Sequence, residues 1–350
     1  MSQREVVVVT GASAGVGRAV VRAFARRKAA IGLIARGIDG LQGAAREVEE
    51  AGGQALILPT DVSDAAAVEQ AAERVEQELG PIDIWVNNAM VSVFSPVLQM
   101  TAEDFRRVTE VTYLGYVYGT LAALRRMKPR DRGVIIQVGS ALAYRGIPLQ
   151  SAYCAAKHAI QGFTDSLRCE LIYDESNVRV TEVHLPAMDT PQFDWSKSRM
   201  PRRAQPVPPI YDPDIAAEGI YWVAHHNQRE LYVGYPTTMA IVGNKLAPGL
   251  GDWYLGNHGV DAQMTDEPAD PDQPNNLYEP LPGDRGAHGR FGDRSIKFSW
   301  QLWASKHRKE LALAGAAVAG LACLFAAGTA GGNGHAASRD RRSKQPQRIF

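Results

Sequence analysis

"TGASAGVG", residues 10–17, directly follows the apolar run "VVVV" at residues 6–9. The run predicts a buried strand, and the sequence after the glycines predicts a helix. Gly11 permits a tight turn, Gly15 lets backbone approach a pyrophosphate, and Gly17 allows close packing of helix on sheet. The phosphate would lie at the helix N-terminus, where free N–H groups and the dipole favour negative charge. A flexible turn is the alternative, but the position between strand and helix indicates dinucleotide binding.

Short apolar runs recur through the first 235 residues and alternate with helical stretches. Six further strands are predicted at "AAIGLIA", "ALILP", "IDIWVN", "GVIIQV", "VRVTEVHL" and "RELYVG". Helices are predicted near residues 16–28, 41–51, 65–79 and 215–225. Continuous apolar strands separated by helices are typical of a parallel sheet covered on both faces. The sequence therefore predicts a doubly wound, Rossmann-like α/β fold of about seven strands.

Composition limits the classes of function and compartment. The 350 residues carry 38 Lys plus Arg and 38 Asp plus Glu, so no net charge recruits nucleic acid. Cys154, Cys169 and Cys323 have neither metal-ligand nor redox spacing, and no metal site is expected. The N-terminus shows no signal-peptide pattern. We expect the catalytic part to be cytoplasmic.

The end of the second predicted strand carries Ala35 and Arg36. An NAD-binding fold usually places an acidic residue there for the ribose 2′-hydroxyl. A guanidinium instead suits a 2′-phosphate, so Arg36 favours NADP, with NAD possible and a solvated loop charge as the alternative. Asp39 is interpreted as a helix cap.

"QSAYCAAKHAI", residues 150–160, places Tyr153 and Lys157 four residues apart. In a helix this spacing brings both side chains to one face, one turn apart. Taken alone, the pair is also compatible with an ordinary surface helix.

Several motifs occur in one order along residues 6–234: "TGASAGVG", "DVSD" after the third strand, "NNAM" after the fourth, a serine after the fifth, Tyr-x-x-x-Lys, and "LPAMDT" after the sixth. In this order they resemble the short-chain dehydrogenase/reductase superfamily, of the compact single-domain type. The resemblance implies that Tyr153 exchanges a proton with the substrate while hydride moves to or from a nicotinamide. It also implies that Lys157 binds the nicotinamide ribose, and that Ser140 holds the substrate oxygen. A phenol ionises near pH ~10, and Lys157 is expected to favour the phenolate.

The resemblance also implies a cofactor-binding set and shows three departures. The set is Gly11, Ser13, Gly15, Val16, Gly17, Arg36, Asp61, Val62, Asn88, Ala89, Tyr153, Lys157, Pro186 and Thr190. Met90 and Ala187 stand where the family usually has glycine. Thr112 stands where the family commonly has an asparagine that holds a water connecting the lysine to solvent. We expect the shorter Thr112 hydroxyl to retain this catalytic relay.

A substrate lid is expected between residues 191 and 213. Phe193, Trp195 and Met200 are candidates for an apolar ceiling. Four basic residues are interpreted as surface charges, with an acidic substrate as the alternative: Lys197, Arg199, Arg202 and Arg203.

The sequence thus predicts an NAD(P)-dependent oxidoreductase, a homo-oligomer acting on a bulky apolar alcohol or carbonyl compound. The alternative is a non-catalytic NADP-binding sensor or scaffold.

Composition changes beyond the predicted sheet. The predicted divisions are a catalytic domain at 1–250, a Pro/Gly/Asp-rich extension or linker at 251–295, a hydrophobic helix at 296–332 and a basic tail at 333–350. The uncharged stretch 311–330 is long enough for a membrane anchor, with basic residues on both sides. The alternative is an Ala-rich helix packed on protein.

Overall fold

The apolar runs form the strands of the computed structural model, which describes residues 4–270 and 272–332. In these residues the strands are β1 (Val6–Thr10), β2 (Ala30–Ala35), β3 (Gln54–Pro59), β4 (Ile84–Asn87), β5 (Val93–Phe94), β6 (Val134–Ser140), β7 (Arg179–Leu185), β8 (Lys197–Ser198), β9 (Arg202–Ala204), β10 (Ile210–Tyr211), β11 (Glu230–Tyr232), β12 (Met264–Pro268) and β13 (Ser295–Ile296).

Helices follow most strands, as the alternating pattern predicts. They are α1 (Gly15–Ala25), α2 (Ile38–Glu50), α3 (Ala65–Glu78), α4 (Ala102–Thr109), α5 (Gly115–Met127), α6 (Ser151–Tyr173), α7 (Gln192–Trp195), α8 (Pro213–His225), α9 (Tyr235–Leu246), α10 (Pro248–His258), α11 (Trp300–Lys306) and α12 (Arg308–Gly332). A π-helical turn, Glu110–Leu114, joins α4 to α5.

Seven of the strands form one parallel sheet in the order β11-β7-β6-β4-β1-β2-β3. Its central strands are apolar throughout because helices cover both faces. Val7 and Val9 pack toward α1, α2 and α8, whereas Val6 and Val8 pack toward α3, α5 and α6. The doubly wound α/β fold predicted from the sequence is confirmed.

The strand order reverses between β1 and β4, which leaves a crevice at the carboxyl ends of the strands. Thr10 ends β1, Asn87 ends β4, and Ser140 ends β6. The loops that follow these residues therefore meet at one edge of the sheet, where ligands bind in folds of this kind.

The described residues divide into two compact units, the first ending at Leu302 and the second beginning at Trp303. Residues 251–295 belong to the first unit although their composition suggests a linker. Leu277, Ala287 and Phe291 in this segment are buried, so the segment packs against the body of the fold.

The prediction of a membrane anchor is not supported. No helix in the described part of the chain combines the length and the hydropathy needed to cross a bilayer. α12 is long enough at 25 residues, but alanine and glycine make up more than half of it and contribute little hydropathy. The predicted basic tail, 333–350, lies outside the described residues.

Candidate active site

The glycine turn between β1 and α1 has the geometry that its three glycines predict. Gly11 has a φ of +69°, in the left-handed region that favours glycine. A Cβ on Gly17 would lie 2.1 Å from the carbonyl oxygen of Gly11, so α1 approaches the end of β1 too closely for any side chain. Ser13 and Val16 line the crevice beside them.

The loop after β4 is fixed to the same turn through Thr10. The Thr10 hydroxyl accepts hydrogen bonds from the backbone N–H groups of Asn88 (2.9 Å) and Ala89 (3.1 Å). The Asn88 amide donates to the Thr10 carbonyl at 2.9 Å. These bonds fix the loop after β4 to the end of β1.

Tyr153 and Lys157 lie on one face of α6, as their spacing predicts. The Lys157 ammonium nitrogen is 5.6 Å from the centroid of the Tyr153 ring. The Ser140 hydroxyl lines the same cavity as Tyr153 and Lys157 and acts to lower the pKa of the Tyr153 phenol. That hydroxyl also accepts the Leu142 N–H at 3.1 Å, which fixes its position at the end of β6. The three predicted catalytic side chains therefore form one cluster.

Burial controls the protonation of this cluster. Lys157 is 2% exposed, and burial lowers its pKa to about 7 although the charge of Glu182 acts to raise it. Burial also raises the pKa of Tyr153 above its usual value, and the Ser140 hydroxyl only partly opposes this. The effect of Lys157 on the ionisation of the Tyr153 phenol stays a prediction.

Tyr116 is a neighbour of Lys157 that the sequence analysis missed. The Lys157 ammonium donates to the Tyr116 hydroxyl at 2.9 Å and to the Val138 carbonyl at 2.7 Å. Tyr116 is 1% exposed and donates to the same carbonyl at 3.0 Å. Because 41 positions separate Tyr116 from Lys157, no local sequence pattern could have identified this contact.

The Thr112 hydroxyl binds the backbone of Val91. It donates to the Val91 carbonyl at 2.9 Å and accepts the Val91 N–H at 3.1 Å. Thr112 is fully buried, and it ties the π-helical turn to the loop after β4. The Thr112 hydroxyl thus has one acceptor position left beside its two bonds to Val91, and its role in a catalytic relay stays a prediction.

The crevice has two cavities that meet at Gly11, Ser13 and Ala14. One, here called the adenosine cavity, is lined by the residues predicted to contact the adenosine half of the cofactor: Arg36, Asp61 and Val62. Ala89, predicted to line the cofactor after the fourth strand, lines both cavities. The Asp61 carboxylate accepts a hydrogen bond from Arg107 at 2.5 Å. Although burial opposes its charge, this bond and those from Ser63 hold the pKa of Asp61 below its usual value.

The second cavity, of about 400 Å³, contains the catalytic cluster. Pro186 and Thr190 line it, as predicted for the nicotinamide half. Its other walls are mainly apolar, from Leu142, Ile147, Met188, Phe193, Trp195, Val207 and Leu255. The division into two cavities joined at the glycine turn fits a dinucleotide, with one nucleotide in each half.

The basic residues of the lid are paired with acids rather than directed at the cavity. Asp104, which is nearly fully buried, accepts Lys197 at 2.9 Å and Arg199 at 2.5 Å. Arg202 pairs with Asp261, and Arg203 with Glu267. These pairings favour structural charges over recognition of an acidic substrate.

Residues 5–200 match the family model of the short chain dehydrogenases. The chain therefore belongs to the short-chain dehydrogenase/reductase family of oxidoreductases, and the resemblance found in the sequence is confirmed. It is 33% identical over 328 residues to the uncharacterized oxidoreductase YxnA of Bacillus subtilis (strain 168), covering 92% of this chain and 90% of that protein. It is 38% identical over 170 residues to dehydrogenase/reductase SDR family member 7 of Homo sapiens, covering 47% of this chain and 50% of that protein.

Among solved structures, the fold is similar to an alcohol dehydrogenase from the archaeon Thermococcus sibiricus complexed with 5-hydroxy-NADP. The TM-score is 0.57 at 30% identity, covering 66% of this chain and 96% of that chain. A metagenomic short-chain oxidoreductase in complex with NADP matches with a TM-score of 0.55 at 28% identity, covering 65% and 96% of the two chains. About a third of the present chain thus has no counterpart in the alcohol dehydrogenase.

Proposed function

We propose that this protein is an NADP(H)-dependent carbonyl reductase or alcohol dehydrogenase that uses Ser140, Tyr153 and Lys157. The cluster of these three side chains at the carboxyl end of the sheet carries the proposal. Ser140, Tyr153 and Lys157 line one cavity, and Lys157 lies one turn after Tyr153 on the same helix.

When bound, the nicotinamide would supply or accept the hydride. The Ser140 hydroxyl and the Tyr153 phenol would bind the substrate oxygen and hold its carbon in the second cavity, beside Pro186 and Thr190. In the reductive direction Tyr153 donates its proton to that oxygen as negative charge develops there. The raised pKa of Tyr153 keeps the phenol protonated at neutral pH, which suits a proton donor. Lys157 and Tyr116 provide a buried hydrogen-bonding pair beside it.

A bulky apolar carbonyl compound or alcohol is the substrate class that the second cavity favours. Apolar side chains line most of its wall, and Phe193 and Trp195 come from the lid. The four basic lid residues are paired with acids, which removes the main argument for an acidic substrate.

A preference for NADP over NAD is supported by the chemistry of the first cavity. Arg36 lies at the end of β2, where an acid would favour NAD, and Arg285 lines the same cavity. Two structural relatives were solved with NADP or a derivative of it.

The test is oxidation of NADPH and NADH by the full chain with a panel of aldehydes, ketones and quinones that differ in size and polarity. We expect turnover with bulky apolar members and a higher kcat/KM with NADPH than with NADH. Tight NADPH binding without turnover of any member would instead support the non-catalytic sensor or scaffold.

A further inference from the structure

Residues 276–289, here called the strap, run across the outer side of the adenosine cavity. They lie within the segment 251–295, whose composition resembles a linker, yet Leu277 is fully buried in the apolar cluster that contains Val62 and Val111. The Leu277 carbonyl accepts a hydrogen bond from Arg107 at 3.0 Å, and Arg107 in turn pairs with Asp61. The beginning of the strap is therefore fixed to the wall of the cavity.

The end of the strap is fixed to the glycine turn and its helix. Asp284 pairs with Arg18, which is 1% exposed, at 3.2 Å and 3.3 Å. The Gly286 carbonyl accepts the Gly15 N–H at 3.0 Å. A Cβ on Gly43 of α2 would lie 1.8 Å from the Asp284 carboxylate, so the surface of α2 is shaped to this residue.

A third contact lies between these ends. The Gly283 N–H donates to the Asp39 carboxylate at 2.6 Å. Asp39 was predicted to cap α2, but the N-cap position is Gly37, and no side chain makes the capping bond. The Asp39 carboxylate therefore binds the strap and does not cap the helix.

The strap covers the adenosine cavity without filling it. Ser13, Gly37 and Gly40 line the cavity from the body of the fold. Pro280, Leu281 and Arg285 line it from the strap. A nucleotide in this cavity would therefore touch the strap as well as the sheet.

The strap also changes the role of Arg36. Its Nη1 donates to the carbonyls of Leu277 (3.4 Å) and Tyr278 (2.6 Å), and its Nη2 donates to the Asn276 carbonyl. One Nη1 hydrogen and one Nη2 hydrogen are thereby engaged in short bonds to the strap, and the Leu277 contact is a long one. Arg285 is exposed and lines the adenosine cavity. Among the described residues its Nη2 donates only a long hydrogen bond, of 3.4 Å, to the Pro282 carbonyl.

We propose that the strap completes the dinucleotide site and that Arg285, rather than Arg36, binds the adenosine 2′-phosphate of NADP. The proposal rests on the proposed NADP(H) dependence and names the residue responsible for it. Arg285 offers a guanidinium whose donors are largely free to pair with two phosphate oxygens. Arg36 binds the strap, so it contributes equally to the binding of NADPH and NADH.

The test compares dissociation constants of NADPH and NADH, measured by fluorescence, for four full-length proteins. These are the wild type, Arg285→Ala, Arg36→Ala and the control Arg46→Ala, an exposed arginine on α2 that does not line either cavity. Arg285→Ala should raise the dissociation constant of NADPH about tenfold to a hundredfold, because a charge-assisted contact to the 2′-phosphate is lost. The dissociation constant of NADH should stay unchanged. Arg36→Ala should raise the dissociation constants of both nucleotides by the same factor, and Arg46→Ala should change neither dissociation constant.

An unchanged ratio of the two dissociation constants in Arg285→Ala would overturn the assignment of Arg285 while leaving the proposed function intact. A changed ratio only in Arg36→Ala would return the 2′-phosphate to Arg36. Wild-type protein that binds neither nucleotide would overturn the proposed function as well. Competition by adenosine 2′,5′-bisphosphate and by ADP provides a second measurement, in which only the bisphosphate should lose affinity for Arg285→Ala.

Discussion

The ammonium nitrogen of Lys157 lies 2.9 Å from the phenolic oxygen of Tyr116. Tyr116 also places its ring under this cation, 4.5 Å from the nitrogen to the ring centroid. Because Lys157 is buried and its pKa is lowered to about 7, each favourable contact helps to keep it charged. Tyr116 is therefore part of what sets the protonation of the catalytic cluster.

Tyr116→Phe should lower the pKa of Lys157 further, because the buried ammonium loses one hydrogen-bond acceptor. A hydrogen bond to a charged group is worth about 1.5–3 kcal/mol, or about one to two pH units. The decline of kcat/KM on the alkaline side of the pH profile should move to lower pH by that amount. Tyr118→Phe on the same helix is the control, since the Tyr118 hydroxyl makes no hydrogen bond to any of the described residues. An unshifted profile in Tyr116→Phe would exclude this role.

Thr112→Val should destabilise the fold, whereas Thr112→Ser should not. Valine matches the shape of threonine but leaves the buried N–H and carbonyl of Val91 without their partner. We expect the free energy of unfolding in urea to fall by about 1–3 kcal/mol, with serine close to wild type. Equal stability of the valine and serine variants would show that the Val91 contacts contribute nothing.

The buried carboxyl group of Glu182 should make the stability of the fold depend on pH. It is 1% exposed, and burial raises its pKa from 4.5 to about 7. A carboxyl group with a raised pKa binds more protons in the folded than in the unfolded protein between these pH values, so stability falls as pH rises through this window. The loss of stability from burying the ionised Glu182 carboxylate is absent below pH 4.5 and complete above about pH 7.

Glu182→Gln removes this cost, because glutamine carries no charge to desolvate. It should raise the free energy of unfolding by about 1–3 kcal/mol at pH 8 and change it little at pH 4.5. Arg168 lies 3.3 Å from the carboxylate, but the contact does not have hydrogen-bond geometry. Destabilisation at pH 8 would show that this ion pair outweighs the cost of burial.

The strands and the catalytic spacing could be predicted because they are local in sequence. A run such as "VVVVT" is apolar on both faces of a strand, which specifies a sheet covered on two sides. Tyr153 and Lys157 lie on one helix, so helical geometry alone brings them together.

The environment of the site depends on contacts between distant residues, which no local pattern contains. Tyr116 and Lys157 are 41 positions apart, and Arg36 bonds to carbonyls about 240 positions further on. Bonds to backbone carbonyls cannot be predicted from residue types, because every residue has a carbonyl. Leu277 is one of few large apolar residues in a polar, proline-rich segment. The strap therefore has the composition of a linker although it packs on the glycine turn.

Turnover by Tyr153→Phe tests the central claim most directly, with Tyr173→Phe as the matched control on the same helix. Tyr173 is 88% exposed and lies five turns away from the cluster, so its variant should retain wild-type activity. Removing the Tyr153 hydroxyl removes the proton donor and should lower kcat about 10²–10⁴-fold, with the NADPH dissociation constant close to wild type. Wild-type kcat in Tyr153→Phe, measured with any substrate that the protein reduces, would contradict the mechanism.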